Sequence, residues 1–168
     1  MPGAPTESAV LFDLVLSASN IYAGSWLESS GAVYAENQAL QWVASLANFP
    51  ATSAGVFVSG GTAGNLSALI AARWRWRQNG KGAYDRVRPI LVASSGAHSS
   101  VALAANAMDA DVVKVQADAQ CRMSGVNLRS AIANLSQQDR NRICSIVATS
   151  GTTNLGVIDD LVAAGEQA

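Results

Sequence analysis

Three short segments hold the residue types that could do chemistry. The first is Ser59-Gly60-Gly61-Thr62-Ala63-Gly64-Asn65. Its paired glycines let the backbone turn sharply and come close to a ligand. Thr62 is placed to cap a helix that begins there. The free N–H groups of a helix start, together with its dipole, favour an anion such as phosphate. The lysine and the spacing of a Walker loop are missing, and so is GxGxxG. The same residues would also make a plain tight turn with a good cap, and residue chemistry alone leaves both readings open.

The second segment is Ser94-Ser95-Gly96-Ala97-His98-Ser99-Ser100, which holds the only histidine. An imidazole between a strand and a helix can act as acid or base, or lie flat on an aromatic ligand. It can also merely cap the helix or pack. The third segment, Thr149-Ser150-Gly151-Thr152-Thr153-Asn154-Leu155-Gly156, offers three threonine hydroxyls on a flexible turn. These suit hydrogen bonds to a polar ligand, or an ordinary polar loop. Asp159 and Asp160 just beyond it read as charges at a helix start rather than catalytic acids. A single histidine, with Cys121 and Cys144 far apart, makes no metal pattern. None of the many serines sits in a nucleophile elbow.

The elements that must position these segments follow from apolar periodicity. Helices are expected over 9–19, 35–47, 63–78, 99–108 and 127–137, with another starting at Asp159; 20–31 reads as loop. Asn79-Gly80-Lys81-Gly82 should stop the third of these helices. Short apolar strands are expected over 55–58, 89–93, 111–115 and 143–148. Strands that alternate with helices and are apolar on both faces predict an α/β fold with a mostly parallel sheet flanked by helices. The three chemical segments then follow strand ends on one rim, where open parallel sheets bind ligands. Trp74 and Trp76, two apart on one helix, should face different ways, one packed and the other partly exposed or at a subunit contact.

Composition narrows the classes. The chain has 168 residues, 49% apolar and 14% charged, with a net charge of −1. This describes one globular domain with a real core, and it makes no electrostatic case for nucleic acid. No apolar run reaches the length of a membrane span, and no signal peptide is expected from the residues before the first helix. Reduced cysteines and a cytoplasmic location are expected.

Gly55 through Leu69, then Ala97-His98-Ser99-Ser100, then Val147 through Thr153 with Gly156 and Asp159, together resemble the group II pyridoxal-phosphate-dependent amino-acid decarboxylases. Aromatic-amino-acid and glutamate decarboxylases belong to that family. The order and spacing of the motifs fit over nearly the whole chain, and Pro5-Thr6 and Asn20 to Trp26 look like segments that line the family's substrate pocket. The resemblance implies part of the large domain of a fold type I pyridoxal-phosphate enzyme. Residues 1–50 would be an N-terminal helical segment and 51–168 a partial cofactor-binding domain.

By the same resemblance, Gly60, Gly61 and Thr62 would bind the phosphate of pyridoxal 5'-phosphate. His98 would stack on the pyridine ring and assist protonation, and Thr149 would lie beside the ring. Pro5, Thr6 and Tyr22 would face the amino-acid substrate. The implied activity is decarboxylation of an L-amino acid in a homodimer, with a same-fold aldehyde synthase or lyase, or a non-catalytic remnant, as alternatives. The family's Schiff-base lysine belongs to a later motif. Lys81, in a turn, and Lys114, in a strand, match no such motif, so the chain alone is expected to be inactive, and its sheet to leave an apolar edge.

Overall fold

The computed structural model describes residues 3–80 and 87–168. Two compact units divide the chain, Met1–Phe57 and Val58–Ala168.

The first unit holds two helices, α1 (Glu7–Ser19) and α2 (Trp26–Leu46). Thr6 caps α1 by accepting from the Ala9 N–H, and Asn20 ends it in a left-handed conformation. The expected loop over 20–31 is cut short, because α2 begins at Trp26. Ser25 and Glu28 hydrogen-bond side chain to side chain across the first turn. Ser25-Trp26-Leu27-Glu28 thus has the Ser-x-x-Glu form of a helix start. A non-helical Ser29 kinks α2, so Gly31 and its neighbours join a helix that the local glycine argues against.

In the second unit, α3 (Gly61–Gln78) leads to β1 (Ile90–Ser94), α4 (Ser99–Ala107), β2 (Asp111–Val115), α5 (Gly125–Ala133), α6 (Gln137–Arg142), β3 (Ile143–Val147) and α7 (Leu161–Glu166). The strands form a parallel sheet in the order β2-β1-β3. Alternation along the fully buried β1 sends Leu91 and Ala93 to one face, against Leu69 of α3 and Val101, Ala104 and Ala105 of α4. Ile90 and Val92 face the other way, toward Leu128 of α5 and Ala164 of α7. Burying a side chain such as Leu91 or Val92 contributes about 1.5–3 kcal/mol. The α/β fold with a parallel sheet between helices is as the sequence predicts.

Three further sequence expectations fail. Residues 55–58 are exposed and pair with no strand among the described residues. Their apolarity is local, but a strand also needs a partner strand beside it, which an apolar run does not by itself supply. The helix expected over 127–137 is two helices. Asn134 ends α5, and Ser136 caps α6 by accepting from the Asp139 N–H while donating to Asp139 Oδ2. Thr62 does not cap α3; Gly60 does. The tryptophans divide as expected, Trp76 5% and Trp74 64% exposed. Asn79 caps the end of α3 and Gly80 follows with φ +73°, whereas Lys81 and Gly82 lie outside the described residues. Among the described residues no helix is long and apolar enough to cross a membrane.

Candidate functional site

The turn into α3 is built by Gly60, whose φ of +123° is a conformation that side-chain-bearing residues rarely adopt. The first helical bond is Gly64 N–H to the Gly60 carbonyl, and no side chain caps the start. The N–H groups of Gly61, Thr62 and Ala63 therefore precede the helical ladder. A Cβ at Gly60 or Gly61 would meet nothing within 4 Å, so open space lies beside the backbone of this turn. Uncapped donors, a helix dipole and open space fit a phosphate.

His98 is the N-cap of α4. Its Nδ1 receives the Ser100 N–H at 3.1 Å and lies 2.9 Å from Ser100 Oγ. Capping and ligand binding are thus compatible, since one ring nitrogen caps and the other stays free. His98 lines a cavity of about 420 Å³ with Ser95, Gly96, Cys121, Thr152 and Thr153. That volume suits a small aromatic ligand. A smaller cavity of about 240 Å³ is also lined by His98 and reaches Lys114 of β2.

The loop after β3 is less free than a flexible turn. Gly151 and Thr152 donate backbone N–H groups to the Val157 carbonyl, Val157 N–H donates to Thr152 Oγ1, and Ser150 bridges Ile158. Two positive-φ glycines, Gly151 and Gly156, permit this closed hairpin. Thr149 sits at its base, partly buried, and it is Thr152 and Thr153 that reach the cavity.

Asp159 is the group that sequence reasoning misplaced. It is 3% exposed and accepts the Met123 N–H at 2.7 Å and the Thr149 N–H at 2.8 Å. It ties the Thr149 loop to the segment before α5 and caps no helix. Asp160 is the N-cap of α7, accepting the Ala163 N–H, and it also accepts the Gly125 N–H. A Cβ on Gly125 would come within 2.6 Å of Ala163, so this glycine sets how closely α5 approaches α7.

In the other unit, Thr6 is the cap of α1, Pro5 precedes it, and Tyr22 is exposed with its ring over Gly24, where a Cβ would collide with it.

A model of the pyridoxal-dependent decarboxylase conserved domain matches residues 1–166. The chain belongs to the pyridoxal-dependent decarboxylase family. An L-2,4-diaminobutyrate decarboxylase of Rhizobium meliloti is 35% identical to it over 92% of the chain and 30% of that protein. An aromatic-L-amino-acid decarboxylase of Bacillus atrophaeus is 29% identical over 96% of the chain and 33% of that protein. The solved glutamate decarboxylase domain of a diaminobutyrate-pyruvate transaminase and L-2,4-diaminobutyrate decarboxylase from Vibrio parahaemolyticus superposes with a TM-score of 0.80. It is 29% identical over 94% of the chain and 36% of that structure. The chain thus spans about a third of the length of the curated relatives it matches. As a member of the pyridoxal-dependent decarboxylases it is read with pyridoxal phosphate as the cofactor of its chemistry.

Proposed function

We propose that this chain is the phosphate- and ring-binding part of a pyridoxal-phosphate-dependent L-amino-acid decarboxylase. The observation that carries the reading is the uncapped, glycine-built start of α3 in the same unit as the His98 cavity, joined to it by a hydrogen bond from Asn65 to Ser100. Gly60, Gly61 and Thr62 bind the phosphate through backbone N–H groups and the Thr62 hydroxyl. His98 stacks on the ring and handles a proton at Nε2, and Thr149 stands beside the ring, held by Asp159. Pro5, Thr6 and Tyr22 belong to the substrate side.

Pyridoxal phosphate, when bound, supplies an electron sink for the carbanion left as carbon dioxide departs. The protein's part is to orient the bond that breaks and to present fixed donors. Residues 1–50 form an N-terminal helical segment and 51–168 part of the cofactor domain of a cytoplasmic homodimer. The family's lysine belongs to a segment other than Lys81 or Lys114, which leaves the 168 residues inactive alone.

Binding is tested by titrating the chain with pyridoxal phosphate and with pyridoxal. Binding should require the phosphate, and Thr62→Ala should weaken it about tenfold, the loss of one hydrogen bond to a charged group. Equal affinity for the two compounds would sink the phosphate role. Borohydride trapping followed by peptide mapping should label neither Lys81 nor Lys114 stoichiometrically; a full label on either overturns the lysine assignment. For the complete enzyme, carbon dioxide with an amine is the expected product pair, and an aldehyde with ammonia would refute decarboxylation.

A further inference from the structure

Both hydrogen bonds of the His98 ring run to Nδ1. The Ser100 backbone N–H can only donate, so it meets Nδ1 as an acceptor, and the proton of the neutral ring resides on Nε2. Ser100 is 2% exposed, so water has little access to take over this contact. A second donor is aimed the same way. Asn65 Nδ2 donates to Ser100 Oγ at 2.8 Å, which occupies one lone pair of the hydroxyl and leaves its proton free to point at Nδ1, 2.9 Å away. The chain Asn65 to Ser100 to His98 therefore runs in one direction. Its two ends lie on different elements: Asn65 is in the second turn of α3, whose start is the Gly60–Thr62 turn, and His98 caps α4.

We propose that Ser100 and Asn65 are positioning residues that hold His98 as its Nε2–H tautomer and in register with the phosphate turn of α3. This deepens the reading given above and rests on it for what the Nε2–H meets in the cavity. Moving the proton to Nδ1 would set two donors against each other at 3.1 Å. The ring thus carries its one transferable proton on the nitrogen left free for the cavity, with Nδ1 committed to the helix cap.

The single histidine makes the test direct, because the 168-residue chain labelled with 15N-histidine yields one imidazole signal set. Long-range 1H–15N correlation, in solution or by magic-angle spinning, is recorded at a pH where the ring is neutral. The expected spectrum has a pyridine-like Nδ1 and a pyrrole-like Nε2, with the Nε2–H form favoured about tenfold or more. Asn65→Asp gives the Ser100 hydroxyl a carboxylate to donate to, turns its lone pairs toward Nδ1, and should raise the Nδ1–H fraction several-fold. Ser100→Thr keeps hydroxyl and amide and should match the parent. Protection of Cys144 from alkylation checks that each chain is folded. Comparable amounts of the two tautomers in the folded parent overturn the proposal, as does a folded Asn65→Asp variant with an unchanged ratio. All of this is read without cofactor. A fixed Nε2–H tautomer in a chain that fails to bind pyridoxal phosphate would therefore refute the proposed function while leaving the positioning network standing.

Discussion

Replacing Asp159 should cost more stability than any surface carboxylate, and the loss should come in two steps. The side chain is 3% exposed and each oxygen takes one backbone N–H, Met123 on Oδ1 and Thr149 on Oδ2. A hydrogen bond to a charged group contributes about 1.5–3 kcal/mol net, and a buried donor left without a partner costs about as much. Asp159→Ala strands both donors, so about 3–5 kcal/mol should be lost after some relaxation of the loop. That is a large share of a domain's typical 5–15 kcal/mol. Asp159→Asn keeps one acceptor oxygen and sets its NH2 against the other donor, so about half of that loss is expected. Urea unfolding followed through the buried Trp76 measures both. The Asp159 N–H still donates to the Thr149 carbonyl in either variant, so the base of the loop should stay attached while the segment before α5 loosens. An Ala variant within about 1 kcal/mol of the parent, or an Asn variant as costly as Ala, would refute the two-donor account.

The two cysteines should react very differently. Burial pushes the Cys144 thiol from 9.0 to about 11, cutting its thiolate at pH 8 about a hundredfold, whereas Cys121 is exposed. Alkylation of the folded chain should stop near one equivalent and map to Cys121, and rapid labelling of both would contradict the packing around β3. Asp139 is held below the ordinary carboxylate range by the Ser136 hydroxyl and then by Arg142. Its lowered value means that this contribution is present above about pH 4 and fades as pH falls through the folded value. Asp139→Asn should therefore lose stability at neutral pH, with the gap to the parent closing in acid. A gap that stays constant from pH 7 to pH 2 would argue against it.

Periodicity and apolar runs were enough to place β1, β2, β3, α1, α3 and α4, because each is set by residues within a few positions of one another. The start of α2 at Ser25-Trp26-Leu27-Glu28 and the break between α5 and α6 at Ser136-Gln137-Gln138-Asp139 were equally local. Both carry the Ser-x-x-acid signal that the glycine and the leucine spacing nearby obscured. The Gly60-Gly61-Thr62, His98 and Thr149 motifs, and through them the pyridoxal-dependent decarboxylase family, were likewise legible in the residues. Tertiary structure alone decided the rest. An apolar run such as 55–58 becomes a strand only where a partner strand lies beside it, and that Gly60 rather than Thr62 caps α3 depends on a positive φ. Asp159 joins Met123, 36 residues away, and Asn65 reaches Ser100, 35 away. Such bonds exist only once the parallel crossovers bring strand ends to one rim, so local spacing could locate the chemical groups but could not tell which of them hold the others in place.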